Sequence, residues 1–333
     1  MEIIKHHNIF PLKEIWMKLY ESNPELSVYQ SEEYAEIAFT HFLPYAAVLK
    51  VKPVFIEFVD DGSTIMIIPL YKNLLKNEYT LFGYQCTYGY IDFIYSKDLG
   101  IERMEECFHM LRDELKGCKL MVNRLRENSL LCQYLLKQYE PKLTIECSHI
   151  DLPDTYDEYL ASLKKDWRHH IRTAYHRLDA EHKTVKLKLF YKQPLPDEEF
   201  AKMMDIYSLR RKTRYEHHEG RIYKLFLKKF DICTTALKKM DNVAHFILYI
   251  DEKAVAFCNG FISKDNRTIT LPRLAIDIEY EKFSPGILLL NESIKKICEL
   301  NIAKNVDLIH GDERYKHELG AVTHYSYEFE LML

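Results

Sequence analysis

Residues 268–316 constrain the fold more than any other part of the chain, because they combine an extended run, a turn, a helix and a second extended run in close succession. Thr268-Ile-Thr-Leu-Pro-Arg-Leu-Ala-Ile-Asp277 is dense in β-branched and apolar residues and reads as a strand. Ser284 stands where a helix N-cap is expected, and Pro285 suits the first helical position. Ile287, Leu290, Ile294 and Ile297 then keep a helical rhythm. Val306-Asp-Leu-Ile-His310 is a short apolar strand that runs into the polar cluster Gly311-Asp-Glu-Arg-Tyr-Lys316. A helix whose first N–H groups face the end of a strand is a ready anion site.

The rest of the chain is compatible with a folded α/β protein. At 333 residues and 47% hydrophobic it is long enough for two domains. A formal net charge of -4 does not describe a general nucleic-acid binder, although it leaves room for a local basic groove. The cysteines at 86, 107, 118, 132, 147, 233, 258 and 298 stand singly, without a CxxC pair, and read as reduced core residues. Met1-Glu-Ile-Ile-Lys-His-His7 lacks the apolar core of a signal peptide, and no run reaches membrane-spanning length. The expectation is a cytoplasmic protein without membrane insertion.

In chain order, Trp16, Leu19 and Tyr20 share one helix face, and a second helix is expected to begin near Ser31. Residues 54–59 and 64–71 flank Asp60-Asp-Gly-Ser63 in a strong hairpin pattern. An aromatic and glycine-rich stretch, 79–95, precedes a helix over 101–115, a strand over 118–125 and a helix over 129–139. Thr155 and Glu158 form a capping-box pattern ahead of a helical run over 159–182. Between 161 and 192 there are 9 Lys or Arg against 3 Asp or Glu, a formal +6. Trp167, Ile171, Ala174 and Leu178 fall at helical spacing in that run, so its charge is either the wet side of a surface helix or a face for an anion. A strand over 184–191, a helix over 197–210 and a second hairpin, 244–250 with 254–262, follow.

The two halves repeat an order. In each, a hairpin with an acidic turn leads through a strand to a helix and a further strand, Tyr90-Ile-Asp-Phe93 corresponding to Leu274-Ala-Ile-Asp277. This predicts two related α/β domains, residues 1–150 and 151–333, the first on the acceptor side and the second carrying the donor and the chemistry.

The combination of Leu163-Lys-Lys-Asp-Trp-Arg-His-His-Ile-Arg-Thr-Ala-Tyr-His-Arg-Leu178, then Ser284-Pro-Gly286, then Gly311-Asp-Glu-Arg-Tyr-Lys316 resembles the FemAB-like branch of the GNAT N-acyltransferases. It is most similar to their cellulose-biosynthesis-protein-like acetyltransferases. The resemblance covers about residues 150–320 and reaches the first half in outline. It implies tandem GNAT-like domains, each a mixed, mostly antiparallel sheet flanked by helices. It also implies an acyl donor held along Leu274, Ala275 and Ile276 and at Lys282, Ser284, Gly286 and Ile287. Ordinary GNAT enzymes carry an Arg/Gln-x-x-Gly-x-Gly/Ala loop for pyrophosphate, whereas Glu281-Lys-Phe-Ser-Pro-Gly286 offers one glycine. Some of the wider group use aminoacyl-tRNA and carry a long coiled-coil arm, of which this sequence has no sign. The donor expected is therefore acyl-CoA, acetyl-CoA in the simplest case.

Acyl transfer to an amine needs a base, a polarised carbonyl and a proton for the leaving thiolate. Asp312, Glu313 and His310 are candidate bases, Tyr315 a candidate acid, and Lys316 holds an acceptor carboxylate, a donor phosphate or an internal partner. The same residues also fit a solvated, self-paired turn. Tyr84, Tyr88, Asp92, Trp167, Arg168 and Arg211 are candidates for binding the acceptor, and aromatic packing in a half-buried sheet explains the tyrosines nearly as well. His217 and His218 are adjacent, poor spacing for a helical metal pair, and no metal is expected. The expected partner is a small-molecule or saccharide amine. Two rivals stay open, aminoacyl transfer from charged tRNA and a catalytically lapsed binding protein.

Overall fold

The first hairpin forms from two largely apolar runs, buried continuously over Val54–Phe58 and Met66–Tyr71, and Asp61 and Gly62, both at positive φ, turn the chain between them. In the computed structural model, which describes residues 1–83, 89–215 and 232–333, the chain divides into two units. The first comprises Met1–Cys147 and His324–Leu333, the second Ser148–Thr323.

In the first unit, β1 (Glu2–His6) is followed by α1 (Lys13–Ser22) and α2 (Glu32–Leu49). Ser31 caps α2 as expected, its hydroxyl accepting from the Tyr34 N–H at 3.1 Å. Then come β2 (Val51–Asp60), β3 (Ser63–Asn73), β4 (Glu78–Leu81), β5 (Ile94–Tyr95), α3 (Ile101–Glu114), β6 (Lys119–Arg126) and α4 (Leu130–Gln138). The chain leaves this unit within β7 (Leu143–Asp151).

The second unit opens with α5 (Tyr156–Ser162), which carries the Thr155–Glu158 capping box, and α6 (Lys165–Ala180). The expected single run over 159–182 is broken, because Leu163 and Lys164 are extended between the two helices. β8 (Val185–Tyr191), α7 (Asp197–Tyr215), α8 (Ile232–Lys239), β9 (Val243–Ile250), β10 (Lys253–Ile262) and β11 (Thr268–Ile276) follow. α9 (Pro285–Leu300), β12 (Asn305–His310) and α10 (Arg314–Glu318) complete it. The last strand, β13 (Val322–Met332), pairs antiparallel with β6 of the first unit.

The repeat is visible strand by strand. The first unit orders β1-β2-β3-β4-β6-β13 and the second β8-β9-β10-β11-β12. In each, antiparallel hairpins end in one parallel pair: Glu78–Thr80 with Lys119–Met121, and Thr268–Thr270 with Asn305–Asp307. The strand matching β11 is thus β4. Tyr90-Ile-Asp-Phe93, expected in that role, is irregular and comes after it.

β9 is buried along its whole length because both faces of the second sheet are covered. One face packs under α6 and α9, with Trp167, Ile171, Ala174, Leu178, Phe246, Leu288 and Ile294 in one core. The other lies under α7, with Met203, Ile206, Ile247, Phe257 and Ala275 together. Each large apolar side chain fully buried this way contributes about 1.5–3 kcal/mol.

Candidate active site

β11 and β12 part after their short parallel register. The cause lies in β12. Asp307 accepts from the Ile309 N–H at 2.8 Å, and Ile309 is held at φ +49°, a left-handed kink unusual for a β-branched residue. Lys316 then gathers the strand's end. Its ammonium is buried and donates to the carbonyls of His310 at 2.8 Å, Gly311 at 3.0 Å and Leu308 at 3.1 Å. Glu313 pairs with it at 3.0 Å. Gly311 is held at φ +105°, a conformation that side-chain-bearing residues rarely adopt.

On the other side of the gap, period-two alternation decides which backbone groups face it. Asp277 donates to Val255 of β10 at 2.7 Å, so Asp277, Ala275 and Arg273 direct their N–H and C=O groups to β10. Leu274 and Ile276 direct theirs to the side that β12 has left. By register, Thr270 is opposite Asp307, which puts Leu274 about level with Gly311.

α9 begins beside this gap. Ser284 lies at its head but does not cap it. Its φ is +56° and its side chain accepts no bond from the helix; it receives one from Arg177 at 3.2 Å instead. Of the first-turn groups expected to meet a donor, Pro285 has no N–H, and the Ile287 and Leu288 N–H groups already donate to the Ser284 carbonyl. The Gly286 N–H lies outside those bonds, and a Cβ on Gly286 would meet only Ile276, at 3.6 Å. Lys282 points elsewhere, bound to both carboxylate oxygens of Glu181 at 2.8 Å. Arg177 is the cation at the helix head, donating also to the Lys282 carbonyl at 3.0 Å. A cation beside a helix N-terminus opposes the dipole, an arrangement an anion would relieve. Sequence reasoning saw Arg177 only as one charge in a basic helix, because its partners are over a hundred residues away.

The remaining candidates are distributed as follows. Asp312 accepts from the His317 ring and, at 3.5 Å, from Thr323, which gives an exposed carboxylate–imidazole pair that the sequence reading missed. Tyr315 is exposed, and His310 is half-buried at the end of β12. Trp167 is a core residue, and Arg168 donates to Ala161 and Leu160 at the end of α5, so both serve the fold. Asp92 is buried in the first unit, accepting from the Phe93 N–H and near the Tyr95 hydroxyl. Burial pushes its pKa up to about 7, against the hydrogen bonds from Ser129, Phe93 and Tyr95 that favour the charged form. Tyr84, Tyr88, His217 and His218 lie outside the described residues, as does the side chain of Arg211.

Behind β11, on the α7 side, three neighbouring strands present His245, Asn259 and Arg273 in one register row. All three are buried; Asn259 donates to Met203, and the Arg273 guanidinium lies 4.7 Å from the centre of the Tyr207 ring. Burial pulls the His245 pKa down to about 4, keeping its ring neutral near pH 7.

The first unit treats its own gap differently. Beyond the β4–β6 register, the Ile91 N–H donates to Arg124 of β6 at 3.3 Å, and Ser27 and Gln30 hold Tyr90 and Phe93 by their carbonyls. Its chain segment lies along β6 where β4 has ended.

Residues 165–317 match the model of a family described as an acetyltransferase (GNAT) domain. The fold is similar to that of FemX, with 13% identity, a TM-score of 0.62 and 100% of this chain and 98% of that one covered. It is also similar to L-PGS from Bacillus licheniformis, at 13% identity and TM-score 0.54, covering 90% of this chain and 91% of that one. A conserved protein of unknown function from Bacteroides thetaiotaomicron VPI-5482 aligns over 99% of each chain, at 11% identity and TM-score 0.53. At such identities the likeness concerns the fold alone. No curated protein matches the sequence. The matched stretch is thus a GNAT-type acetyltransferase domain, and it lies within the second unit. The fold likeness to FemX agrees with the FemAB-like resemblance of the sequence.

Proposed function

We propose that the protein transfers an acyl group, acetyl in the simplest case, from acyl-CoA to the amine of a small molecule, amino sugar or saccharide precursor. The observation that carries this reading is the gap between β11 and β12, with the Gly286 N–H and Arg177 at the head of α9. A pantetheine arm laid in the gap would run along β11 beside Ile276, and its pyrophosphate would meet the cationic helix head. The second unit is assigned the donor and the chemistry. The first, where Ile91 lies against β6, is assigned the acceptor side.

In the reaction the amine nitrogen attacks the thioester carbonyl carbon, a C–N bond forms and the C–S bond breaks. The proton lost by the amine goes to the Asp312–His317 pair, directly or through water. Glu313 is less suited, since its carboxylate is held by Lys316. Tyr315, exposed nearby in sequence, donates to the departing thiolate. Lys316 acts by fixing the carbonyls of β12 and does not itself meet substrate.

The test is release of free CoA thiol from acetyl-CoA in the presence of a panel of amines, amino sugars and amino acids. Amine-dependent thiol release supports the reading. Acyl transfer from charged tRNA, with none from acetyl-CoA, replaces it with the aminoacyl reading.

A further inference from the structure

The first unit has an end that its fold leaves unexplained. From Thr40 to Leu49, α2 carries no Asp, Glu, Lys or Arg. Leu43, Pro44, Ala47 and Val48, spaced at i and i+4 on one side of its last turns, are exposed. α2 stops at Lys50, whose carbonyl accepts from the Leu74 N–H at 2.8 Å. That bond sets the end of the helix against the β3–β4 turn, where Leu74 and Leu75 project. Val48 and Leu75 are each 78% exposed, so neither belongs to the unit's core. Single exposed leucines are ordinary, but four large apolar side chains converging on one end are not.

Charge at this end has one dominant sign. Lys50, Lys52 and Lys76 flank the apolar residues and are exposed. Asn77 bonds to the Gly117 carbonyl at 2.8 Å and brings exposed Lys116 alongside. The acidic turn of the hairpin, Asp60 and Asp61, is at its opposite end. Of the nearby acids, Glu330 is already paired by Lys119 and Lys142, and Glu78 is half-buried.

We propose that this end of the first unit docks on an anionic lipid bilayer, with Val48, Leu74 and Leu75 entering the interface and the lysines meeting headgroup phosphates. An apolar tip ringed by lysines matches a surface that offers hydrocarbon beneath negative charge. Docking here is peripheral, consistent with the finding that no helix among the described residues is long and apolar enough to cross a membrane. The proposal stands independently of the acyl-transfer reading.

Co-sedimentation of the full chain with phosphatidylcholine vesicles, with and without phosphatidylglycerol, tests it. The expected result is binding that requires phosphatidylglycerol and weakens with salt. Leu74→Ser with Leu75→Ser should weaken it by roughly tenfold or more, as loss of buried apolar area requires. Lys50→Gln with Lys76→Gln should weaken it by roughly fivefold per lysine. All these side chains are exposed, so unchanged thermal unfolding of the variants is the accompanying control. No binding by the wild type, or equal binding by the leucine variant, overturns the proposal. So does a dimer that the leucine variant disperses, which would assign the patch to a second copy of the chain.

Discussion

The ammonium of Lys316 donates to the carbonyl oxygen of His310 across 2.8 Å, and that bond is one of several by which a buried lysine ties off the end of β12. The relationship changes what Lys316 does. In sequence it lies in a charged cluster, where an acceptor carboxylate, a donor phosphate and an internal partner are all open to it. In the structure it neutralises converging carbonyl dipoles that the kink at Ile309 would otherwise leave buried.

Lys316→Met keeps the aliphatic stem and removes the ammonium. Hydrogen bonds from a charged donor are worth roughly 1.5–3 kcal/mol, and orphaned buried carbonyls carry their own penalty. The variant is expected to lose about 3 kcal/mol of stability in urea unfolding. A loss below about 1 kcal/mol would mean that the carbonyls find water and that Lys316 is free for another role.

Two glycines of the second unit should respond oppositely to the same change. A Cβ on Gly260 would lie 2.1 Å from the Thr270 carbonyl oxygen, beside the irregular register of β10 and β11. Gly260→Ala is expected to cost about 2 kcal/mol or more, because backbone and not a yielding side chain stands in the way. Gly286→Ala meets only Ile276 at 3.6 Å and should leave the melting temperature nearly unchanged. Equal melting temperatures for both variants would contradict the close approach at Gly260.

Asp92 should leave a signature in the pH dependence of stability. Its folded pKa, about 7, lies above the ordinary carboxylate value because burial disfavours the charge. The stabilising contribution of the protonated form is therefore complete below about pH 4 and is lost as pH rises through about 7. Relative to Asp92→Asn, which stays neutral, the wild type should become progressively less stable across that window, by an amount on the order of a few kcal/mol near its end. Parallel stability profiles for the two proteins would show that Asp92 ionises in the folded state as readily as in the unfolded one.

Much of the fold is legible from local pattern. Paired apolar runs on either side of an acidic turn, 54–71 and 244–262, give both hairpins, and Ser31, Ser129 and Thr155 each start the helix their side chains cap. The repeated order is legible too, although the irregular 90–93 segment mimics a strand and shifts the apparent correspondence. What escapes is set by contacts distant in sequence. Ser284 has an N-cap's identity and position, yet Arg177 fixes its hydroxyl. Trp167 and Arg168 belong to a basic run, but one faces the core and the other binds the end of the preceding helix. His317 gains its interest only from Asp312, and burial of Lys316 follows from a kink that no residue spacing announces.

The most direct test of the account is calorimetric titration of the protein with acetyl-CoA, alongside free CoA and dephospho-CoA, for wild type and Gly286→Val. The wild type should bind acetyl-CoA at micromolar affinity and the variant at least about tenfold more weakly, with folding unchanged. Tenfold corresponds to about 1.4 kcal/mol, within the reach of one charge-assisted contact. No binding by the wild type, or equal affinity in Gly286→Val, would contradict a donor seated between β11 and the head of α9.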